Sequence, residues 1–481
     1  MSEYFLAIDI GASSGRHIIG WVDHGKMHLQ EVHRFENRQV MADGHLCWDM
    51  DNLWRGVVEG LKACKEKNMV PATIGIDTWA VDFVLLDKDD RMIGNPVSYR
   101  DGRTANIDKE VYKIIPEKEL YEKTGIQRQP FNTIFQLMAL KKESSKDLEE
   151  AKSLLMIPDY LNFLLTKVKK QEYTNASSTG LVNAKTNSWD KELIDKLGLP
   201  QRLFGELSLP GTVVGKLSED IAGEVGFSST VILPATHDTG SAFLSVPARD
   251  ETSVYLSSGT WSLLGIENES PIISEEARIE NLTNEGGAFY RYRFLKNIMG
   301  LWIIQSVRRE LNGSEYVKGK KSSYATGRNY SFPDLIEEAK KCEDFAGVID
   351  VNDDSFLAPV SMIDAIKDYC KKKELPVPQS VGQIMQCVYK GLALCYRDTV
   401  RKLEDITGKR ITGINIIGGG GQDEYLNSLT AKALGLPVYA GPIEGTAIGN
   451  LVIQMISAGI FEDLSGARDC IYNSFDIKTY R

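Results

Sequence analysis

The sequence of 481 residues lacks both a long apolar segment and an excess of basic side chains. No stretch reaches the roughly 20 apolar residues that span a bilayer. Asp9 interrupts the apolar run at the N-terminus, so no signal peptide is expected. Lys and Arg number 56 against 66 Asp and Glu, and the formal net charge of −10 argues against nucleic acid as the main partner. We therefore expect a cytoplasmic monomer or homodimer, with no membrane and no nucleic acid among its partners.

Cysteine pairs and the common nucleotide-binding signatures are also missing. The seven cysteines include no C-x-x-C pair, which is typical of reduced structural thiols, and whether Cys342 and Cys370 pair stays open. The Walker P-loop pattern occurs nowhere, and the glycine run that begins at Gly418 does not fit the G-x-G-x-x-G fingerprint. A bound nucleotide would therefore need another kind of phosphate site.

Strands and helices alternate along the chain in two similar halves. Apolar and β-branched runs predict strands over Tyr4–Ile10, Arg16–Asp23 and Met27–Phe35, and helical spacing follows over Asp51–Asn68. The second half again begins with two strands around a Gly/Ser turn. A chain of this length exceeds what one hydrophobic core usually serves. We therefore predict an α/β fold of two related domains, residues 1–245 and 246–481, with a cleft between them.

The Gly/Ser turn after the first strand is a candidate phosphate site. Its backbone N–H groups and hydroxyls can point at phosphate oxygens, Arg16 can add positive charge, and Asp9 can hold Mg²⁺ through water. The residues of the turn are Ala12, Ser13, Ser14, Gly15 and Arg16. A plain hairpin turn capped by Asp9 explains the same pattern equally well.

The same turn matches the G-x-S-x-G pattern of serine hydrolases, with Ser13 as nucleophile. A nucleophile elbow needs several strands before it and a helix directly after it. One predicted strand precedes this turn and strand-type residues follow it. We therefore favour the phosphate site over the hydrolase.

Two further glycine-rich turns lie in the second half. Ser257-Ser258-Gly259 separates two predicted strands and repeats the hydroxyl-rich character of the first turn. The four glycines from Gly418 to Gly421 lie between an apolar strand and a predicted helix over Glu424–Leu434. Glycine lets a flat base or ribose approach the backbone without a Cβ clash. One hydroxyl-rich turn in each half favours a pair that grips a single triphosphate.

Asp238 is the candidate catalytic base. It follows the apolar strand Thr230–Ala235, and α/β sheets present ligands at the carboxyl ends of their strands. A carboxylate there can accept a proton from a sugar hydroxyl, with His237 and Thr239 orienting the sugar. The alternative is that Asp238 only caps a helix beginning near Gly240.

Polar residues also interrupt the apolar stretch from Ile74 to Asp87. Asp82 lies between two apolar residues, where a buried carboxylate is costly unless it is paired. Contacts to sugar hydroxyls, with the face of Trp79 against the sugar, would explain it. A buried structural hydrogen-bond network explains it nearly as well.

These segments together resemble the sugar kinase, Hsp70 and actin superfamily, and most closely the FGGY carbohydrate kinases. The resemblance extends from Asp9 to Gly449. It is carried by IGIDTWAVDFVLLD, PVSYRDGRT, TGIQRQPFNTIFQL, ATHDTGSA, SSGTWSLLG, RYRFLKNIMGLWIIQ and GGGGQDEYLN. ASSGR and FLKNIMGLW are similar to the branch of the family that acts on L-rhamnulose.

The resemblance implies two ribonuclease-H-like (actin-like ATPase) domains flanking a central cleft, ATP and Mg²⁺ as cofactors, and Asp238 as general base. The implied nucleotide contacts are Ala12, Ser13, Ser14, Gly15, Arg16, Thr260, Asn297, Gln305 and Gly420. The implied sugar contacts are Ala80, His237, Asp238 and Thr239. Ala80 stands where the family commonly has glycine, and Asp423 where it commonly has asparagine, so pocket size and nucleotide preference stay open.

The implied reaction is phosphorylation of L-rhamnulose at O1, in L-rhamnose catabolism. Within the family the alternatives are kinases of L-fuculose, xylulose or a polyol. Outside it stand a non-catalytic ATP-binding protein of the Hsp70 and actin type, and a sugar-responsive repressor. No helix-turn-helix arm precedes Asp9, and the net charge does not suit DNA.

Overall fold

The structure is a computed structural model that describes residues 3–248, 252–314, 322–357 and 359–481. Its contacts divide the chain into two compact units. The first consists of Met1–Arg249, Glu267–Leu295 and Glu444–Phe475, and the second of Asp250–Ile266, Lys296–Ile443 and Asp476–Arg481. Each unit thus combines three stretches of the chain, and the division at residues 245 and 246 stays a prediction about the linear domains.

The first unit contains strands β1 to β14 and β17, and helices α1 to α11, α17 and α18. The strands are β1 Phe5–Ile10, β2 Ser14–Asp23, β3 Lys26–Glu36, β4 Gln39–Ala42, β5 His45–Trp48, β6 Thr73–Thr78, β7 Phe83–Leu86, β8 Ser153–Met156, β9 Gln171–Glu172, β10 Val182–Asn183, β11 Ser188–Trp189, β12 Leu207–Ser208, β13 Val213–Lys216, β14 Thr230–Ile232 and β17 Thr283–Gly286. The helices are α1 Met50–Glu66, α2 Ile107–Ile114, α3 Glu117–Thr124, α4 Thr133–Glu143, α5 Ser145–Glu150, α6 Ile157–Thr166, α7 Tyr173–Ser177, α8 Lys191–Lys196, α9 Glu219–Val225, α10 Asp238–Leu244, α11 Glu275–Ile279, α17 Gly445–Ser457 and α18 Leu464–Ser474.

A six-stranded sheet in the order β13-β14-β6-β1-β2-β3 organises the first unit. β14, β6 and β1 run parallel, while β1 pairs antiparallel with β2 across the first turn. Alternation along β1 sends Leu6 and Ile8 into a core shared with α1, and sends Phe5 and Ala7 into a core shared with α17 and α18. Both faces of the sheet are therefore covered, as a mixed sheet with parallel central strands requires.

Helices α10 and α17 of the first unit pack with their backbones in close approach. A Cβ atom on Gly449 of α17 would lie 1.7 Å from the backbone oxygen of Ser241 in α10. Only glycine permits this distance, because any side chain would overlap the neighbouring backbone. α10 is therefore held directly against α17, which itself covers β1 and β6.

The second unit contains β15 Ser253–Ser258, β19 Gly413–Ile417, β20 Val438–Ala440 and β21 Lys478–Tyr480, with helices α12 Trp302–Leu311, α13 Phe332–Lys340, α14 Met362–Lys372, α15 Val381–Thr407 and α16 Glu424–Leu434. Strands β16 Trp261–Asn268 and β18 Tyr292–Met299 each run across a unit boundary. Together with β16 and β18, the strands of this unit lie in the order β18-β16-β15-β19-β20-β21 within a seven-stranded sheet, and β15, β19 and β20 are parallel. The α/β class and the two-part organisation are confirmed.

Most predicted elements lie within two residues of the observed bounds. The predicted helix at Glu424–Leu434 coincides with α16, and the predicted strands around the first turn correspond to β1, β2 and β3. All seven cysteines are free thiols, so Cys342 and Cys370 are not paired. Within the described ranges, no helix is long and apolar enough to cross a membrane.

Candidate active site

Three carboxylates lie at the carboxyl ends of adjacent parallel strands in the first unit. Asp9 is in β1 and stands opposite Asp77 of β6 in the parallel register. Asp238 follows β14, where His237 bridges to Thr78 at the end of β6. Ligands in open α/β sheets bind at such strand ends, so the strand order places these three carboxyl groups, the acidic group, where a ligand with hydroxyls could reach them.

The Asp238 carboxyl is oriented by the residue that follows it. Oδ1 accepts the backbone N–H of Thr239 at 2.6 Å and its hydroxyl at 3.1 Å, and 33% of the side chain is exposed. Burial, and after it the charge of Asp9, raises the pKa of Asp238 to about 7. A carboxyl with this pKa exchanges a proton readily near neutrality, which suits a general base. The helix N-cap is His237, and Asp238 is the first helical residue, so the capping alternative is wrong in its position.

His237 is held by a buried ion pair. Its Nδ1 lies 3.1 Å from Arg293 Nη2 and 3.3 Å from Glu285 Oε2, and its Nε2 lies 3.4 Å from Asp238 Oδ1. Burial, and then the Arg293 charge, keeps the pKa of His237 well below its ordinary value. The imidazole is therefore neutral at physiological pH, with one nitrogen that donates and one that accepts.

Asp77 is fully buried, and its carboxyl is anchored from α17. Asn450 Nδ2 donates to Asp77 Oδ2 at 2.6 Å and to the Gly75 carbonyl at 3.1 Å. Burial, followed by the charge of Asp9, raises the pKa of Asp77 well above its ordinary value. Burial and the neighbouring charge thus both favour the protonated form of Asp77.

The first turn is ordered by backbone hydrogen bonds. Gly11 N donates to the Ser14 carbonyl at 2.9 Å, and Asn37 Nδ2 donates to the Gly11 carbonyl at 2.9 Å. Ser13 is exposed at its tip. β2 begins at Ser14 directly after it, so no helix follows, and the serine hydrolase reading is wrong.

Arg16 follows this turn and neutralises two carboxylates. Its Nη2 lies 2.6 Å from Asp9 Oδ2, and its Nη1 contacts Glu444 Oε2. Asp9 and Arg16 are also direct partners in the register of β1 and β2. The guanidinium therefore lies among the predicted phosphate and metal ligands, in a position to bind an anion in place of a carboxylate.

Ala80 is half-buried in the loop between β6 and β7. The next residue, Val81, has φ +69°, and Asp82 N donates to the Ala80 carbonyl at 3.0 Å, so the chain makes a tight turn at this position. Positive φ is strained for a β-branched residue. Thr133 Oγ1 donates to the Val81 carbonyl at 2.6 Å and fixes the turn.

Asp82 is the centre of a structural hydrogen-bond network. Its Oδ2 accepts N–H groups from Trp48 at 2.7 Å, Trp79 at 3.0 Å and the Tyr99 backbone at 3.1 Å, and its Oδ1 accepts Gln136 Nε2 at 2.8 Å. The indole rings of Trp48 and Trp79 lie 4.1 Å apart. The side-chain contacts thus support a structural hydrogen-bond network as the explanation of this polar segment. The network holds the loop that contains Ala80 in place.

Glu172 fixes the segment before His237. Its carboxylate accepts the backbone N–H and hydroxyl of Thr236 at 3.2 and 2.6 Å, and it also caps α7 through Thr174 and Asn175. Nothing in the sequence around Glu172 indicates this role, because its partner lies 64 residues away.

In the second unit, the Ser257–Gly259 turn contacts the glycine run. A Cβ on Gly420 would lie 1.9 Å from Ser258 Oγ, and Gly418 has φ +84° with the Ser258 carbonyl 3.0 Å from its Cβ position. Thr260 is half-buried beside this contact, and its carbonyl accepts Trp302 N at 3.1 Å. The fold therefore places the predicted nucleotide residue Gly420 against Ser258, two residues before Thr260 in the chain.

The other predicted nucleotide contacts of this unit are Asn297 in β18 and Gln305 in α12. Asn297 Oδ1 is buried and finds no hydrogen-bond partner among the described residues. Asp423 is engaged on both oxygens: Oδ1 caps α16 through Leu426 N at 2.9 Å and Oδ2 accepts Tyr389 Oη at 3.0 Å. Asp423, which stands where the family commonly has asparagine, thus uses both of its oxygens in structural contacts.

Arg293, Glu285, Glu172 and Asn450 surround the acidic group, and the sequence did not single them out. Arg293 and Glu285 are buried charges inside strands, which is the one signal that can mark such residues before a structure exists. The side chain that each of these two residues contacts depends on how the strands pair. The positions of the residues along the sequence do not reveal that pairing.

Comparison with known proteins places these observations in a family. The model for the FGGY family of carbohydrate kinases, N-terminal domain, matches residues 4–245, and the model for its C-terminal domain matches residues 254–458. A rhamnulokinase of Oceanobacillus iheyensis is 47% identical over 480 residues, covering 100% of this chain and 98% of the relative. A rhamnulokinase of Halalkalibacterium halodurans is 49% identical over 478 residues, covering 99% and 98%.

A solved structure shares the fold. The crystal structure of gluconate kinase from Lactobacillus acidophilus superposes with a TM-score of 0.79 at 18% sequence identity, covering 100% of this chain and 94% of that one. Similarity at this level of identity concerns the fold alone.

Proposed function

The chain belongs to the FGGY family of carbohydrate kinases, and we propose that it transfers the γ-phosphoryl group of ATP to O1 of L-rhamnulose, in L-rhamnose catabolism. The choice of sugar is supported by full-length relatives at 47% and 49% identity whose names specify this substrate. The single structural observation that supports the chemistry is the position of Asp238, a carboxyl with a pKa of about 7 beside Asp9 at the strand ends.

Asp238 is the proposed general base. It removes the proton from the O1 hydroxyl while that oxygen bonds to the γ-phosphorus, and the bond from phosphorus to the bridging oxygen breaks with its electron pair leaving on ADP. His237, Thr239 and Ala80 are the proposed sugar contacts. In such a transfer, positioning and charge stabilisation supply most of the rate.

The proposed nucleotide contacts are the residues that the family resemblance implies. The first turn contributes its backbone N–H groups and hydroxyls, from Ala12, Ser13, Ser14, Gly15 and Arg16. The second unit contributes Thr260, Asn297, Gln305 and Gly420. The unpartnered Oδ1 of Asn297 supports its assignment, because a buried acceptor without a donor is costly unless a ligand supplies one.

Mg²⁺ fits the acidic group of the first unit. Burial and, after it, the charge of Asp9 raise the pKa of both Asp77 and Asp238, and the repulsion between the carboxylates is relieved by a hard divalent cation with oxygen ligands. Asp9 is the proposed ligand, and it would hold the ion through water. When bound with the nucleotide, Mg²⁺ supplies neutralisation of phosphate charge.

A panel of sugars at fixed MgATP, with coupled detection of ADP, tests the substrate. We expect kcat/KM for L-rhamnulose to exceed that for L-fuculose, xylulose and glycerol by about 10-fold or more, because sites that hydrogen-bond substrate hydroxyls discriminate strongly. Equal or better use of another sugar would replace L-rhamnulose with that sugar. ATP hydrolysis that no sugar stimulates would favour the non-kinase alternative.

Three further assignments remain proposals. We propose that the linear domains divide at residues 245 and 246, that the protein is a monomer or homodimer, and that it acts in the cytoplasm. Light scattering after gel filtration tests the second, and limited proteolysis near the boundary tests the first.

A further inference from the structure

A buried arginine, Arg293, contacts His237 next to the proposed base and has no role in the phosphoryl transfer proposed for this protein. Arg293, in the part of β18 that belongs to the first unit, is 1% exposed, and its ion-pair partner Glu285 is 5% exposed. Arg293 Nη2 lies 3.2 Å from Glu285 Oε2, and Nε and Nη2 donate to the Gly286 carbonyl at 3.2 and 3.1 Å. Two well-packed apolar residues usually stabilise a fold as well as a buried ion pair does, so stability alone explains the pair poorly.

The contacts of Arg293 determine which nitrogen of His237 carries the proton. A guanidinium is always protonated and offers only donors, so its 3.1 Å contact with His237 Nδ1 is a hydrogen bond only when Nδ1 accepts. His237 is neutral, because burial and the Arg293 charge lower its pKa. With Nδ1 accepting from Arg293, its one ring proton resides on Nε2.

This tautomer directs a donor at the proposed base. Nε2 lies 3.4 Å from Asp238 Oδ1, the oxygen that already accepts the N–H and the hydroxyl of Thr239. Among the described residues, every hydrogen bond to the Asp238 side chain goes to Oδ1. Two hydrogen bonds and this contact, all at Oδ1, leave Oδ2 as the oxygen that can take a proton from a substrate.

We propose that Arg293 is a positioning residue for the phosphoryl transfer: it fixes His237 in the Nε2–H tautomer, and His237 then orients Asp238 so that Oδ2 receives the sugar proton. This rests on the proposed function. Glu285 has a double effect in this arrangement. It balances the Arg293 charge, and it lies 3.3 Å from His237 Nδ1, where it would attract the ring proton if Arg293 were absent.

The first test is the nitrogen NMR spectrum of the whole protein with ¹⁵N-labelled histidine. The chain has six histidines, and His237→Gln identifies the signal of His237. We expect a protonated Nε2 and an unprotonated Nδ1. A proton on Nδ1, or on both nitrogens, at neutral pH overturns the proposal, and this measurement requires no variant that has to fold without the ion pair.

The second test uses the single variant Arg293→Met and the double variant Glu285→Gln/Arg293→Met. In R293M, Glu285 remains as an acceptor, so the ring proton should move to Nδ1 and kcat should fall about 10- to 100-fold, as when a supporting contact of a catalytic group is lost. In the double variant the amide introduced at position 285 can donate to Nδ1, so the Nε2–H tautomer and most of kcat should return. KM for ATP should change little in either.

Arg278→Met is the matched control, because Arg278 pairs with Glu275 and Glu117 away from the acidic group. It should keep the His237 signal and kcat of the wild type. If R293M and the double variant lose kcat equally while both fold, the proposal is overturned. If the wild type phosphorylates no sugar, the proposed function fails, and the spectrum still decides the tautomer.

Discussion

Asp9 and Asp77 face each other in the register of parallel strands β1 and β6, and the charge of Asp9 raises the pKa of the buried Asp77. Asn450 of α17 donates a hydrogen bond of 2.6 Å to Asp77, although the two residues are 373 positions apart in the sequence. The same charge of Asp9 raises the pKa of Asp238. Burial and, after it, the charge at one strand end thus raise the pKa of two neighbouring carboxyls.

Replacing the proposed base should separate binding from turnover. Asp238→Asn keeps the side-chain size and removes proton acceptance, so we expect kcat to fall about 10²- to 10⁴-fold, the range of general base catalysis. Nucleotide affinity, measured by calorimetry with MgADP, should stay within about twofold. Asp220→Asn, at an exposed position of α9, is the control. Turnover by D238N at the wild-type rate would remove the base assignment.

The pH dependence of kcat/KM should report the ionisation of Asp238. The base works only when ionised, and its pKa is about 7, so kcat/KM should fall about tenfold per pH unit below pH 7 and level off above it.

Removing the neighbouring charge tests the cause of that pKa. Asp9→Asn leaves burial as the main cause, so the acid limb should move to lower pH even though the rate itself falls with the loss of the proposed metal ligand. Profiles of wild type and D9N over about pH 5 to 9 provide the comparison. A limb at the same pH in both proteins would contradict the proposed influence of Asp9.

Glycine at position 449 should be essential for the approach of α17 to α10. Gly449→Ala would bring Cβ within 1.7 Å of the Ser241 carbonyl, so the helices must separate. We expect the free energy of unfolding to fall by about 3 kcal/mol, and kcat to fall at least about tenfold because α10 carries Asp238.

Gly466 of α18 offers the matched control for that variant. A Cβ there meets its nearest atom at 3.7 Å, an ordinary contact. Gly466→Ala should therefore leave kcat unchanged and alter the unfolding free energy, measured by urea denaturation, by about 1 kcal/mol or less, in the stabilising direction. Equal effects of G449A and G466A would show that the close approach is unimportant.

At the turn formed by Val81, a glycine variant should be more stable than an alanine variant, which is the reverse of the usual order inside a helix. Alanine keeps a Cβ that is strained at φ +69°, at a cost of about 1–2 kcal/mol. Glycine removes that strain but buries one methyl group less, a loss of about 0.8 kcal/mol, so Val81→Gly should be more stable than Val81→Ala by up to about 1 kcal/mol. At exposed Glu59 inside α1 the order should be opposite by a similar amount. Thermal unfolding of the four variants measures both differences.

Predictions from local patterns were accurate where local physics sets the structure. Alternating and continuous apolar runs predicted β1 to β3, and the glycine run followed by helical spacing predicted α16. The alternative functions of Asp82 could not be separated this way. Its four hydrogen-bond donors come from residues up to 54 positions away, and their convergence depends on packing.

The sequence by itself determined the α/β class, the positions of the glycine-rich turns and the strand end that carries Asp9. These follow from backbone hydrogen bonding and from the period of side chains along one element, which a few neighbouring residues decide. Only the tertiary structure decided that Asp77 stands beside Asp9, that Asn450 reaches Asp77 and that Arg293 lies behind His237. Those contacts arise from the order of strands in a sheet and the helices packed on it, and residues distant in sequence set that order.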